Sequence, residues 1–208
     1  MMYTKIIDIS WPVSMAMTAY KDNKTVSFVA TKTFERDHVR SSLISMSSHT
    51  GTHLDAPSHF LADGMTAEKL DLDALIGPCI VLDLTHCVDK ITRADLHGIG
   101  THIRVLAQTK NSKHHPDAPF DHNFIALDVD AAQLLVERGV QVFGIDYLGV
   151  ERAGQGSHSV HIELLAHNVC IIEGLRLGHV VPGVYTLCCL PLLLQGLDGS
   201  PARAVLLG

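Results

Sequence analysis

The stretch SSHTGTHLDAPSHF, residues 47–60, places three histidines and an aspartate within eleven positions. Neutral imidazole and carboxylate groups are good ligands for zinc and, less selectively, for manganese. On an extended chain the four side chains would project to the same side, because all four have odd numbers. A histidine-rich surface strand is the alternative, but four ligand-type residues at this spacing favour a metal site. The four residues are His49, His53, Asp55 and His59.

The chain through this cluster is predicted to be extended and not helical. Gly51 and Pro57 lie between the candidate ligands, and both residue types disfavour a helix. An extended segment bent at Gly51 would bring the first three side chains together, with His59 further along. Three ligands from the chain leave a coordination position open, as a catalytic metal requires, and a histidine beside it could transfer protons.

A second candidate cluster lies more than a hundred residues downstream, in HIELLAHNVCIIEG. Glu173 follows the apolar run VCII, where a charged group that ends a buried strand is costly unless it is paired or metal-bound. Three histidines lie nearby, and the spacing alone does not choose among His158, His161 and His167. His161 shares a helical face with leucines three and four residues later, so a half-buried core histidine is its alternative role.

The elements that would position these residues form an α/β domain in which strands outnumber helices. Strand-like runs are KIIDIS, TVSFVATKTF, SLISMSS, CIVLDL, HIRVLAQT, VQVFGID, VCIIEG, VYTLCCL and ARAVLL. The clearest helix is DVDAAQLLVERG, with Asp128 as its N-cap, and short helices are expected in TAEKLDLDALIG, TRADLHGI and SVHIELLAHN. Because the order is irregular, we predict one domain over residues 1–208 with a mixed, partly open, barrel-like sheet flanked by a few helices. Residues 109–124 are predicted to be a long loop.

Composition limits the classes of function. Of the 208 residues 47% are hydrophobic and 18% are charged, and the high apolar content favours a homo-oligomer, with a dimer as the default. The formal net charge of −6 argues against nucleic acid as a partner. No apolar run is long enough for a membrane span, and MMYTKIIDIS lacks the apolar region of a signal peptide. The five cysteines lack CxxC spacing, so we expect reduced thiols and a cytoplasmic protein.

The string HTGTHLDAPSHF resembles the signature H-x-G-T-H-x-D-x-P-x-H-F of the metal-dependent cyclase-like hydrolases. Bacterial kynurenine formamidase (arylformamidase) and isatin hydrolase belong to that family. The similarity continues through DAPSHFLADGMTAEKLDLDALIGPCIVLDL, FGIDYLGVE, HIELLAHNVCIIEGL and VVPGVYTLCCLPLLLQGLDGSPARAVLL, so it covers nearly the whole chain. It implies a swivelling β/β/α fold and a hydrolase of C–N bonds other than peptide bonds, most like an arylformamidase of tryptophan catabolism.

The resemblance also implies a role for each residue of the two clusters. His161 and Glu173 match the family's second ligand pair, a histidine followed twelve residues later by a glutamate. His59 would be the proton donor and acceptor. Two divalent ions, zinc by preference and manganese as the alternative, would activate the water that attacks the amide. The first ion would be bound by His49, His53 and Asp55, with Asp55 bridging to the second.

The sequence departs from the formamidases at the substrate pocket. Where that family has a segment like PVWPGD, this chain has MAMTAYKDN, which puts Tyr20 in place of the aromatic ring and Lys21 and Asp22 where Pro-Gly is common. Gly149 stands where a serine is frequent in relatives. Three functions stay open: hydrolysis of an aryl formamide, hydrolysis of a cyclic amide such as isatin or of a lactone or ester, and non-catalytic metal or ligand binding. His59 argues against the last, because a storage site has no use for an unligated histidine.

Overall fold

The computed structural model describes residues 5–21, 26–152 and 157–208. Asp22, expected beside Tyr20, lies outside these residues. The strands are β1 (Ile6–Asp8), β2 (Ser27–Lys32), β3 (Ser41–Ser45), β4 (His53–Asp55), β5 (Ile76–Asp83), β6 (Lys90–Ile91), β7 (Arg104–Gln108), β8 (Ala126–Leu127), β9 (Val142–Ile145), β10 (Cys170–Glu173), β11 (Gly183–Pro191) and β12 (Gly199–Leu207). The α-helices are α1 (Phe34–Asp37), α2 (Leu72–Leu75), α3 (Val129–Glu137) and α4 (Ser159–Ala166). Short 3-10 helices cover Pro57–His59, Ala67–Lys69, Arg93–Ile99 and Lys110–Lys113.

Seven strands form a mixed barrel. Their order is β4, β12, β11, β5, β7, β9 and β10, and β10 pairs again with β4. The neighbours from β5 to β10 are parallel, whereas β4, β11 and β12 are antiparallel to theirs. The long β12 closes the ring, because residues 202–207 pair with β11 while 199–201 pair with β4. The predicted α/β fold with a mixed, barrel-like sheet is confirmed.

Alternate residues of the barrel strands face two different apolar cores. One core takes residues from all seven strands, among them Leu54, Leu106 and Ile172, and therefore fills the inside of the barrel. The other core contains Phe143 and Ile171 together with residues of α3 and α4, so it lies on the outer face. Burial on both faces explains why β7, β9 and β10 are continuous apolar runs in the sequence.

The predicted secondary structure is largely confirmed. Each of the nine strand-like runs contains a strand, and α3 begins at its predicted N-cap, where Asp128 accepts a hydrogen bond from the Val129 amide. The strands β6 and β8 were not predicted, since each has only two residues, whereas β4 lies within the segment predicted to be extended. Residues 109–124 form the expected loop, and buried Asp146 holds its start by accepting hydrogen bonds from Thr109 and Ser112. No helix within the described ranges is long and apolar enough to cross a membrane.

A separate two-stranded hairpin, β2–β3, projects from the barrel. Every residue of both strands is exposed. Val29 pairs with Leu43 on one face and Phe28 pairs with Ile44 on the other, so both faces present apolar side chains. In sequence the hairpin lies between Tyr20 and His49. Its two ends are therefore close to the candidate site, where Val26 and His49 line one pocket.

Candidate metal centre

The outer face of the barrel at β4 and β10 carries the first set of candidate ligands. Leu54 points into the barrel, so its neighbours in β4, His53 and Asp55, project outward. Antiparallel pairing sets Glu173 opposite His53, and Glu173 also projects outward because Ile172 points inward. Two short strands thus bring residues 120 positions apart in sequence onto one buried surface.

A turn at Gly51 returns His49 to the same surface. The backbone of Gly51 has φ +61°, a left-handed conformation that favours glycine. Nδ1 of His49 then lies 2.8 Å from Oδ1 of Asp55. Gly174, at the end of β10, is also required, because a Cβ there would lie 2.1 Å from the Gly51 carbonyl oxygen. The two glycines let the turn pack directly against the end of β10.

His59 reaches the cluster from the 3-10 helix Pro57–His59, not from an extended strand. Pro57 stands at the start of this helix, where its missing amide is no loss. The ring of His59 stacks on that of His49, with centroids 3.9 Å apart and an interplanar angle of 27°. Only residues 53–55 of the predicted extended segment form a strand, so the four side chains converge through a turn and a helix.

His161 is the histidine of its group that joins the cluster. It lies in the first turn of α4, and its Nε2 is 3.4 Å from Oε1 of Glu173 and 3.9 Å from Oδ2 of Asp55. His167 is exposed and contacts its own helix, and exposed His158 lies at the rim of the adjacent cavity. The five residues predicted as metal ligands are therefore brought together.

The donor atoms of this cluster fit divalent metal ions. Nε2 of His53 and Oδ2 of Asp55 are buried and have no hydrogen-bond partner. Buried polar atoms nearly always have a hydrogen-bond partner. Two buried atoms without one, a ring nitrogen and a carboxylate oxygen in the same cluster, are best explained as ligands of a cation. Nε2 of His53 lies 3.5 Å from Oδ1 of Asp55 and 3.4 Å from Oε2 of Glu173, close enough for all three to share one ion.

The second nitrogen of each candidate imidazole ligand is held by an acceptor. Nδ1 of His53 lies 2.9 Å from the Gly51 carbonyl oxygen, and Nδ1 of His161 lies 3.1 Å from Oε2 of Glu151. These oxygens only accept, so the facing nitrogens carry N–H groups, and Nε2 is the atom of each ring that can bind a metal ion once its own proton is displaced. Such an outer acceptor typically accompanies a histidine that binds metal. His49 has the reverse arrangement, with Nε2 3.1 Å from Oδ2 of Asp198 and Nδ1 facing Asp55.

The electrostatics of the cluster favour bound positive charge. Burial opposes ionisation of Asp55, but the neighbouring imidazoles of His49 and His53 hold the pKa of its carboxyl well below the ordinary value. Burial likewise favours neutral imidazoles, yet the neighbouring carboxylates outweigh it and raise the pKa values of His53 and His161 to about 10. A metal ion can replace the protons that these groups attract.

His59 differs from the candidate ligands. Its side chain is 28% exposed. Burial lowers the pKa of His59, although the charge of Asp55 opposes the shift. Its ligand atom still lies within 4.8 Å of those of His49 and Asp55. A neutral imidazole at the edge of the cluster is suited to accept a proton.

Two carboxylates beside the cluster, Glu151 and Asp198, were missed by the sequence analysis. Glu151 holds Nδ1 of His161 and also faces the amides of Val160 and His161, so it caps α4 as well. The Asp198 carboxylate contacts His49, which is 149 positions earlier in the sequence, and also contacts His59. Neither residue has a local spacing pattern that connects it with the histidines.

A cavity of about 240 Å³ opens beside the cluster, and its wall is largely apolar. Tyr20, Phe60 and Leu148 line it, as predicted for Tyr20. Burial and the nearby charges of Glu173 and Glu151 raise the pKa of Tyr20 to about 12, so its hydroxyl stays protonated. Lys21 is exposed beside it.

Gly149 shapes the same wall. A Cβ at this position would lie 3.2 Å from the Tyr20 ring and 3.1 Å from the Phe124 ring. A serine there would therefore press on Tyr20, so the glycine allows the close approach of that ring. This gives a physical reason for glycine where relatives often have serine.

A mixed α/β barrel with imidazoles and carboxylates clustered beside a cavity defines a metal-dependent protein. The chain belongs to the family "Cyclase: Putative cyclase", which matches residues 7–152, so the resemblance in the sequence is confirmed. It is 34% identical over 207 residues to the kynurenine formamidase of Bacillus anthracis, covering 98% of this chain and 97% of that protein. A solved "predicted metal-dependent hydrolase from Bacillus stearothermophilus" is 38% identical, with a TM-score of 0.84 and 98% of both chains covered. Isatin hydrolase A from Labrenzia aggregata shares the fold at 22% identity, with a TM-score of 0.82 and coverage of 98% and 93%.

Proposed function

We propose that this protein is a metal-dependent hydrolase of a small aryl amide, most like an arylformamidase acting on N-formylkynurenine-type formamides. The observation that carries the proposal is the pair of unsatisfied buried atoms, Nε2 of His53 and Oδ2 of Asp55, next to an aromatic-walled cavity. A relative that covers nearly the whole chain is a kynurenine formamidase, which supports the amide as the substrate.

We propose two divalent ions, zinc by preference and manganese as the alternative. His49 and His53 would hold the first ion and His161 the second, with the carboxylates of Asp55 and Glu173 available to both. Both oxygens of Asp55 face imidazole nitrogens, Oδ1 towards His49 and Oδ2 towards His161, which supports a bridging role. When bound, the ions would acidify a water molecule and polarise the amide carbonyl.

His59 would move the proton that hydrolysis requires. An amine leaves poorly unless it is protonated, so a group at the site must take a proton from water and return it to the nitrogen. His59 is neutral, partly exposed and beside the candidate ligands, and its Nδ1 faces Asp198. Its Nε2 is therefore the atom that would accept and deliver the proton. Ser and Cys nucleophiles are not needed for this reaction.

The cavity would bind the aryl group. Tyr20, Phe60 and Leu148 offer apolar and aromatic surface, and a volume of about 240 Å³ suits a small ring compound. The protonated hydroxyl of Tyr20 could donate a hydrogen bond to the substrate. These side chains would orient the amide towards the cluster of candidate metal ligands while limiting access of bulk water.

A cyclic amide such as isatin, or a lactone, is the second candidate substrate. N-Formylkynurenine has an amino-acid carboxylate, for which a guanidinium is the usual partner. Arg152 lines the cavity, but its guanidinium already donates to Oδ1 of Asp89 at 2.6 Å and to the Phe124 carbonyl oxygen at 2.8 Å. Among the described lining residues this leaves no unpaired guanidinium or ammonium group, which favours substrates with little charge.

Turnover of N-formylkynurenine and of isatin by the same zinc- or manganese-loaded sample, with metal analysis, tests the proposal. We expect metal-dependent hydrolysis of an aryl amide and none after chelation. Full activity in a metal-free sample would contradict the proposed role of the cluster. Stoichiometric metal without hydrolysis of any amide or ester would favour the non-catalytic alternative.

We further propose that residues 1–208 form a single domain that assembles as a cytoplasmic homodimer and binds neither nucleic acid nor membrane. A two-stranded hairpin is marginally stable alone, yet β2–β3 exposes 53% of Val29, 60% of Leu43 and 56% of Ile44. A second copy of the chain would cover this surface. Light scattering should give the dimer mass, and Leu43→Lys together with Ile44→Lys should give a folded monomer. A monomeric wild-type protein would contradict the dimer.

A further inference from the structure

Asp198 lies at the edge of the cluster, between a candidate ligand and the candidate proton carrier. Its Oδ2 is 3.1 Å from Nε2 of His49 and 3.3 Å from Nδ1 of His59. Its Oδ1 accepts a hydrogen bond of 3.0 Å from the Ser48 hydroxyl. One carboxylate oxygen therefore faces one nitrogen of each of two stacked imidazoles.

The side chain of Asp198 is not needed to hold its own loop. The loop is fixed by backbone hydrogen bonds, from the Ala56 amide to the Asp198 carbonyl and from the Ala67 amide to the Leu197 carbonyl. Glu68 adds a further anchor by accepting from the Gly196 amide. The Asp198 carboxylate itself contacts Ser48, the two histidines and its own backbone amide. These contacts connect the side chain to both histidines, while the backbone hydrogen bonds hold the loop.

The contact decides which nitrogen of each imidazole carries a proton. A neutral imidazole has one N–H, and the nitrogen that faces an acceptor is the one that carries it. Both nitrogens of His49 face carboxylates, Nδ1 facing Asp55 and Nε2 facing Asp198, so once Nδ1 gives up its proton to bind a metal ion, Asp198 would hold the remaining N–H on Nε2. The same carboxylate facing Nδ1 of His59 leaves Nε2 free as the atom that accepts a proton. The two histidines need opposite tautomers, and a single oxygen can hold both.

We propose that Asp198 is a positioning residue that sets the tautomers of His49 and His59, so that His49 presents Nδ1 to the metal cluster and His59 presents Nε2 to the substrate. This role rests on the proposed hydrolase function. Asp198 acts through the two histidines and does not itself touch the reacting atoms.

Imidazole 15N NMR shifts of the zinc-loaded and metal-free protein test the tautomers without any substrate. In the wild type we expect His59 with its proton on Nδ1. In Asp198→Ala we expect a shift towards the form with the proton on Nε2. Asp198→Leu, which has a similar shape and no acceptor, serves if the alanine variant does not fold. A His59 tautomer that is the same in wild type and variants overturns the proposal.

Kinetics with a double-mutant cycle test the consequence. We expect Asp198→Ala to lower kcat on the order of tenfold to a hundredfold, as measured for residues that orient metal-site histidines, with KM little changed. In a His59→Ala background, with zinc saturating so that weaker metal binding through His49 is offset, the same substitution should cause no further loss of kcat, because the remaining effect acts through His59. Additive losses would overturn the proposal.

Glu68→Ala is the matched control, since it removes a carboxylate that anchors the same loop without contacting a histidine. We expect wild-type kcat and wild-type His59 tautomer in this variant. A loss equal to that of Asp198→Ala would show that only the loop position matters. An altered tautomer in a protein that hydrolyses no amide would leave the positioning role intact and remove the proposed function.

Discussion

Removal of the Glu151 carboxylate should weaken both α4 and the proposed second metal site. Glu151 is 4% exposed, and its Oε2 lies 3.1 Å from Nδ1 of His161 and 3.2 Å from the Val160 amide. In Glu151→Ala, His161 loses the acceptor that keeps its Nε2 free. The first turn of α4 also loses its side-chain cap, which no other described contact replaces.

The magnitudes follow from the two contacts. Loss of an acceptor behind a metal-binding histidine typically costs tenfold to a hundredfold in metal affinity, which is about 1.4 to 2.7 kcal/mol. Loss of a helix N-cap costs about 1 kcal/mol of unfolding free energy, and burial of the orphaned amide can add about as much. We therefore expect the weaker of two zinc-binding steps to shift by tenfold or more, and the metal-free protein to lose roughly 1–2 kcal/mol.

Calorimetric zinc titration and denaturant unfolding of the metal-free protein measure the two effects. Glu163→Gln is the matched control, because Glu163 lies on the same helix and contacts His167 and not the cluster. We expect the control to match the wild type in both measurements. Unchanged zinc affinity in Glu151→Ala would refute the role of His161 as a ligand held by Glu151. A lower stability with unchanged zinc affinity would show that Glu151 caps α4 and has no role at the metal site.

Three further predictions follow from the same geometry. His59→Ala should keep the wild-type metal content and lose most turnover, whereas His53→Ala should lose both, as metal analysis and rate assays would show; full turnover in His59→Ala would contradict its role. Gly149→Ser should raise KM for aryl amides several-fold by pressing on Tyr20, with kcat less affected, and an unchanged KM would exclude this contact. The raised pKa values of about 10 for His53 and His161 mean that zinc must displace protons, so its affinity should increase from pH 6 to pH 8, with proton release measurable by titration in buffers of different ionisation enthalpy.

The raised pKa values of His53 and His161 also determine how the stability of the metal-free protein changes with pH. A histidine whose folded pKa is raised contributes stability that is fully present below its unfolded pKa of about 6.5 and is lost as pH rises through about 10. The metal-free protein should therefore lose stability between about pH 7 and pH 10. A melting temperature that rises over this range would contradict the paired state of His53 and His161.

The sequence predicted the strands and the first cluster well because both depend on local spacing. Apolar runs identify β5, β7, β9 and β10, and the motif around His53 identifies the three candidate ligands and the candidate proton carrier that the structure brings together. The choice of His161 over its neighbours needed the family resemblance, since only the start of α4 aims it at Glu173. Asp198 could not be predicted, because packing of its loop brings it to His49 from 149 positions away, and Glu151, ten residues before His161, could not be predicted because no spacing pattern connects the two.

The shape of the opening motif was also only partly predictable. The odd numbers of the four side chains suggest one extended strand. Instead, the left-handed turn at Gly51 brings His49 to the cluster, and the 3-10 helix that begins at Pro57 brings His59. The physical reason is that pairing with β10 and β12 extends only residues 53–55. Residue types therefore predicted which groups meet, whereas tertiary contacts determine how they meet.

Anomalous X-ray diffraction from zinc-loaded crystals would locate the proposed metal ions. We expect zinc peaks within about 2.0–2.2 Å of Nε2 of His53 and of the Asp55 carboxylate, with a second peak near Asp55, His161 and Glu173. Fully loaded crystals with no anomalous peak at these atoms, in a protein that still hydrolyses aryl amides, would contradict the proposed sites.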